Sequence, residues 1–511
     1  MKLRAFGRFL ATVAAAALAA AASAQERFHY DATSVDVAAH WAARATLADA
    51  MMFSGMGERL VIPLGARDAI LKHAGYVGRP AMPKLPIVGA IYAAGEPRFA
   101  AQPDFADPGT LKWVALNVDR TLEPAAQAWA LAKIASPEFH LSYHEDRAEK
   151  RVGLMMAPQA QAQAKAIGRL LDSNRLFAPR RPDGSFGAPR PGDQVAVLWA
   201  VSSLVLAATS DRDDYWHRAY RDLINPDDWR GVADAALAAV GKLPPATRAE
   251  RGLAVEALGR YALTTSDKAQ RERALALARR HADALREEAP LSKGAASEAS
   301  RGIPAPLSKG VAREPTRGIQ ALADLGLTIY GLVEAGRLFG ERSYMDAAAG
   351  VFRSELLPRW DERLGAFRPS AGPVVYTPLT LGALAAGLNA LRWYGPADAA
   401  QEANRIYPRL FETVLVQARM LHSSPLPLVG EHYLKQEPAA YFAHPALPSA
   451  ATTGYAPVFA GEVRHEDDRW RVTDARFRTA QAFFLANMLG MRREGRADAF
   501  LAEDRLAALR R

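Results

Sequence analysis

Four carboxylates stand where a helix begins or a long connection turns: Asp193, Asp361, Glu431 and Asp474. Two carboxyls facing one bond do the acid and base work of glycoside cleavage, and Asp361, Glu431 and Asp193 are the candidates for it. Near helix starts, free N–H groups meet anionic or hydroxylated ligands. Asp119, Arg120, Gln194, Arg317, Tyr376, Asp474 and Arg476 lie at such places, and the long connections add Trp360, His432 and Tyr433 as ligand-binding candidates. Asp193 and Asp474 equally suit helix N-caps and Asp361 suits a turn. Glu431 and His432 lie in a connection with no evident structural duty.

His140 and His144, flanked by Glu145 and Asp146, invite a metal reading. The aromatic alternation around them argues for a strand, where positions four apart stand about 13 Å from each other, too far for one ion. Met51, Met52, Met56, Met155 and Met156 could take copper(I), but methionine at helical spacing fills cores. Cysteine is absent, which excludes disulfides, thiolate metal sites, cysteine nucleophiles and c-type haem. No P-loop, nucleophile elbow, dinucleotide fingerprint or His-Glu-x-x-His occurs, so neither a cofactor nor a metal is expected. The formal net charge is +9 with arginine spread along the chain, a solvated basic surface and not a nucleic-acid face.

Helices must position these groups, because apolar residues recur at helical spacing almost throughout. The spacing predicts helices over 34–56, 122–135, 158–175, 193–209, 226–241, 246–263, 265–288, 317–338, 341–357, 377–393, 397–421 and 472–490, with a last one over 496–510. Taken in order, the first twelve form six pairs. Connections within pairs are long (57–121, 176–192, 289–316, 358–376, 422–471) except 242–245, and those between pairs are mostly short. Successive antiparallel helices send alternate connections to opposite faces, so the long loops gather on one face. The second helix of each pair is the more apolar, as an inner ring requires. The expected fold is all-α, an (α/α)6 toroid of six helical hairpins forming a single domain over 25–511.

One short β-hairpin is expected, from Phe139, Leu141 and Tyr143 alternating with His140, Ser142 and His144, and then Arg151 to Met156. Residues 290–305 recur at 306–321 with eleven of sixteen positions identical, a duplicated insertion over 290–316 rich in Gly, Ser and Pro. At the start, Lys2, Arg4 and Arg8 precede an apolar run from Phe9 to about Ala22, and Ala22-Ser23-Ala24 follows. That is the layout of a signal peptide over 1–24, which places the mature chain in the periplasm or outside the cell. No later stretch is expected to span a membrane.

Residues 321–369 resemble a known group. They include the run from Gly326 to Ala348, with Tyr344 just past a helical turn, and the sequence Trp-Asp-x-x-x-Gly-x-Phe from Trp360 to Phe367. The segment is similar to the hairpin units of N-acylglucosamine 2-epimerase-like proteins and (α/α)6 glycoside hydrolases. The resemblance implies a toroid with its pocket at the N-terminal ends of the inner helices. It also implies that Tyr344 packs the hairpin turn, that Trp360 wedges the loop and that Gly365 permits its bend. It does not reach catalytic residues, and fold shared is not function shared.

The expected function is binding, with or without processing, of a carbohydrate or similar polyhydroxylated ligand beneath the long loops. Trp113, Trp360, Tyr376, Tyr433, Tyr441 and Trp470 supply rings for stacking. The catalytic version is a metal-independent glycoside hydrolase or lyase. The rival is a non-catalytic periplasmic accessory or scaffold protein that docks a protein partner.

Overall fold

Proline marks where the most apolar helices start. Pro124, Pro191 and Pro378 each open a helix behind an extended residue, respectively Glu123, Arg190 and Thr377. Proline presets φ, and its missing N–H costs nothing at that position. The computed structural model describes residues 29–60, 87–104, 107–136, 150–211, 215–289, 315–370, 372–425, 441–444, 446–490 and 503–510. The expected signal segment 1–24, nearly all of the duplicated insertion, His140, His144, Glu431, His432 and Tyr433 lie outside the described residues.

The protein is mostly helical. The α-helices are α1 (Ser34–Ala48), α2 (Pro124–Ile134), α3 (Lys150–Gly168), α4 (Pro191–Ala208), α5 (Tyr215–Leu223), α6 (Asp227–Lys242), α7 (Arg248–Thr264) and α8 (Lys268–Glu287). They continue with α9 (Pro315–Phe339), α10 (Arg342–Val351), α11 (Pro378–Tyr394), α12 (Ala397–Leu410), α13 (Ala450–Thr453), α14 (Thr479–Leu489) and α15 (Glu503–Arg510). Six of them, α2, α4, α7, α9, α11 and α14, each pack on the next, and α14 packs back on α2. Trp129, Trp199, Tyr330 and Phe484, one from each of four of these helices, meet in the core. Their centroids stand 5.4 Å (Trp129–Trp199), 5.2 Å (Trp129–Phe484) and 6.2 Å (Trp199–Tyr330) apart. Between α7 and α9 the backbones approach so closely that a Cβ on Gly252 would lie 2.0 Å from the Leu327 carbonyl oxygen.

A second set of six helices flanks the first: α3 packs on α2, α6 on α4, α8 on α7, α10 on α9, α12 on α11 and α1 on α14. Among the flanking helices α8 buries only a stripe, Ala274, Ala278, His281, Ala282 and Leu285, whereas α1 is buried nearly all round. The expected pairing joined each flanking helix to the core helix after it. The closer packing runs the other way, from a core helix to the flanking helix that follows, and the sixth pair joins the two ends of the chain.

Two expectations are corrected. The run from Lys150 is helix and not the second arm of a hairpin, because Met156, Ala157, Ala160, Ala164 and Ile167 bury one helical face. The helix expected from 472 starts at Thr479, and Arg469–Asp474 is a strand of alternating exposure. Among the described residues one helix, α4, has the length and apolarity of a membrane span, and it is largely buried among its neighbours, as a core helix is.

Nine short strands, not a single hairpin, are present among the described residues, all in three connections that lead from a flanking helix to a core helix. They are β1 (Gly57–Leu60), β2 (Ile87–Ile91), β3 (Ala94–Gly95), β4 (Trp360–Asp361), β5 (Ala366–Phe367), β6 (Val374–Tyr376), β7 (Glu462–Glu466), β8 (Arg469–Asp474) and β9 (Phe477–Arg478). Antiparallel pairing of β3 with β9 and of β6 with β7 stitches the first, fifth and sixth such connections together. A bridge between Leu122 and Arg180 adds the second.

Candidate functional site at the helix starts

Three core helices meet charged side chains at their first turns. Asp193 is not the N-cap of α4 but its third residue, since the helix begins at Pro191. Its carboxylate takes Arg190 Nε at 2.8 Å and the backbone N–H of Ala125, in the first turn of α2, at 3.3 Å. Arg190 Nη2 also reaches Asp193 Oδ1 (3.2 Å) and Glu123 Oε1 (3.3 Å), so two carboxyls share one guanidinium nitrogen. Burial pushes both Asp193 and Glu123 above the ordinary carboxylate range, against the pull of Arg190. At α7 the arrangement recurs: Asp324 of α9 accepts from the backbone N–H of Ala249 at 3.2 Å, and burial raises it too.

At the start of α14, Asp474 stands in β8. Burial works against its charge, but Arg476 (3.1 Å) and Arg478 (2.6 Å) hold it below the ordinary value. Asp474 and Arg476 are thus brought together as expected, but as partners of each other. Arg120 is exposed, its guanidinium 6.0 Å from the Tyr92 ring centre. Arg317 lies in the first turn of α9.

A groove of 790 Å³ opens where α10 gives way to the loop before α11. Glu355, Arg359, Trp360, Asp361, Glu362 and Arg368 line it, with Ser354, Pro358, Arg363, Pro369 and Ser370. The indole of Trp360 leans edge-on against Phe367 at 5.1 Å, and the two residues face each other across β4 and β5. Gly365 turns the loop at φ +68°, where a Cβ would lie 2.5 Å from Thr413 Oγ1. Asp361 keeps that turn by accepting from Leu364 N–H (2.9 Å), and Arg368 Nε donates to it at 2.5 Å. These hydrogen bonds hold Asp361 below the usual carboxylate range. Arg405 and the Trp360 N–H do the same for Glu362.

Two expected ligand contacts instead serve the scaffold. The Tyr376 hydroxyl is buried and both accepts from Phe367 N–H and donates to Phe367 O, each at 2.8 Å, which fixes the groove wall from behind. The Gln194 amide is buried and clamps the Phe177 backbone at 2.9 and 2.8 Å. Trp113 is buried against Phe477. Trp360 and Asp361 therefore share one groove, while Asp193 belongs to a separate carboxyl pair. The residues missed from sequence are Glu123, Arg190, Asp324, Glu355, Arg359 and Arg368. The signal for the first two was the proline that follows each. The arginines of the groove had no signal in a chain with arginine in most helices. No family model and no curated protein matches the chain.

Proposed function

We propose that this chain is an exported (α/α)6 toroid that binds a carbohydrate or similar polyhydroxylated ligand in the groove at Trp360. The cyclic packing of six core helices with six flanking ones supports the toroid. The observation that carries the binding reading is the groove itself, 790 Å³ in volume with a half-buried indole among arginines and carboxylates. Ligand sites of this kind pair one or two apolar surfaces with a few oriented polar groups. Binding is favoured over cleavage there, because Asp361 and Glu362 are both engaged by arginines, Arg368 and Arg405.

The experiment is a thermal-shift screen of residues 25–511 against mono- and oligosaccharides, uronic acids included. A ligand that binds only the folded state raises Tm by mass action, about 2.7 kcal/mol at a hundredfold Kd. A shift with one sugar class that disappears in Trp360→Ala supports the reading, and no shift with any sugar overturns it. The second reading, a docked protein partner, is favoured by Leu60, Leu116 and Phe186. These exposed large apolar side chains all lie in the first two loop connections. Capture of a partner that is lost in Leu116→Ser with Phe186→Ser would support it.

A further inference from the structure

The indole of the groove is held by a chain of contacts that ends on another helix. Trp360 Nε1–H donates to Glu362 Oε2. Arg405 Nη1, from α12, donates to both oxygens of Glu362 (2.7 and 2.9 Å). The same guanidinium turns its other edge to Glu402, also of α12, through Nε (3.1 Å) and Nη2 (2.6 Å). Arg405 is thus saturated between two glutamates, and paired bonds of this kind fix direction as well as distance. Phe367 meets the indole at 5.1 Å and is the one ring packed against it among the described residues. Phe367 is fixed in turn, because the Tyr376 hydroxyl clamps its backbone.

Stability does not account for this chain. Glu362 is 67% exposed and Arg405 is 46% exposed, and exposed ion pairs contribute little. Its effect is local: it fixes one side chain of the groove wall and occupies that side chain's only polar atom. With the N–H taken by Glu362, Trp360 meets a ligand through its ring face alone.

Resting on the carbohydrate reading of this same groove, we infer that Glu362 and Arg405 are positioning residues for Trp360 and that the ligand presents a pyranose ring, not an open-chain polyol. The face of an indole is apolar and electron-rich. A pyranose gathers C–H bonds on a flat side and matches that face, while a flexible polyol has no such side. An indole fixed in advance also spares the ligand the ordering of a side chain, which is roughly two- to tenfold in affinity.

The test is titration calorimetry on residues 25–511 with 1,4-linked tetramers of glucose and of a uronic acid. Each is used intact and after periodate cleavage with borohydride reduction, which opens the rings and keeps the chain length. An intact tetramer should bind at least tenfold tighter than its ring-opened form. Glu362→Leu should weaken binding about fivefold and Arg405→Met about threefold. Glu362→Gln, whose amide oxygen still accepts from the indole, should stay within twofold of the parent. Equal affinity for intact and opened tetramers overturns the pyranose assignment. Equal loss in Glu362→Gln and Glu362→Leu overturns the positioning role, since the contact to the indole is then not what matters. Loss of binding in Trp360→Ala, with Glu362→Leu and Arg405→Met at parent strength, also overturns that role and leaves the carbohydrate reading standing. Binding of neither tetramer overturns the carbohydrate reading itself.

Discussion

Asp193 accepts a hydrogen bond from the backbone N–H of Ala125, 68 positions earlier and in the first turn of a different helix. A side chain of one core helix thus caps the neighbour before it, and Asp324 repeats the relationship on Ala249. Helix starts leave N–H groups without partners inside the helix. Here the next helix in the cycle supplies an acceptor, so the same contact satisfies a helix end and sets the spacing of two helices.

Removing either cap should cost stability. Asp324→Ala is expected to lower unfolding free energy by about 1 kcal/mol, the usual value of an N-terminal cap. Asp193→Ala should cost more, because Arg190 then loses its closest carboxylate as well. The two sites share no hydrogen-bond partner, so the double variant should add within about 0.5 kcal/mol. Urea unfolding of the four proteins checks this, and a double variant no worse than either single one would sink the capping account.

Arg392 of α11 binds Asp36 of α1 at 3.0 Å, with the guanidinium buried and further bonds to Asn389 and to the Ala32 carbonyl. The contact holds the first helix on a layer built by the last third of the chain. Arg392→Leu takes from Asp36 the guanidinium that holds it at two points in a buried place and is expected to cost about 3–5 kcal/mol. Arg392→Leu with Asp36→Leu should recover part of that loss. Limited proteolysis near residue 30, before and after substitution, reads whether the first helix has come loose.

The helices were legible because apolar residues repeat at their spacing, and the Trp360 turn was legible because tryptophan, glycine and phenylalanine hold fixed places around a bend. The strands were not. Apart from β1, β2, β7 and β8 they are two or three residues long, too short for alternation to register. The end of the strand Arg469–Asp474, from Val472 on, was absorbed into a helix because apolar residues at that spacing fit either period. Which neighbour a flanking helix packs on was also hidden, since chain order names two candidates and only packing chooses. Among the site residues, Asp193 was found for the wrong reason. Pro191 moves the helix start two residues earlier and turns an expected cap of α4 into a cap of α2.

Glycine substitutions should separate close packing from propensity. Gly331→Ala would place a Cβ 2.4 Å from Gly252 Cα, which forces α7 and α9 apart and should cost about 1–3 kcal/mol or more. Gly231 lies on the exposed side of α6 with nothing within 4 Å of where an added methyl group would stand, so Gly231→Ala should stabilise by about 0.5–1 kcal/mol. Opposite signs in thermal unfolding are the expected result, and matching signs would mean that the approach of α7 and α9 is not tight.

Stability should also fall as pH rises from about 6.5 to 8. Asp49 is buried, its Oδ2 has no hydrogen-bond partner among the described residues, and burial pushes its carboxyl up to about 8 from 3.8. The folded state then keeps a proton that the unfolded state has lost, so stability declines with pH across that window. Glu334 is raised in the same sense by burial. His422 and His281 act oppositely: burial lowers both to about 4 from 6.5, so the unfolded chain holds more protons and stability rises with pH between those values. Between about pH 4 and 6.5 the two effects offset each other, and above 6.5 only the carboxyls remain. Asp49→Asn mimics the protonated carboxyl, so its Tm should come closest to the parent's at the acid end, below pH 3.8 where the unfolded carboxyl is protonated too, and exceed it increasingly toward pH 8. A Tm difference that stays constant with pH would show that Asp49 does not hold its proton in the folded protein.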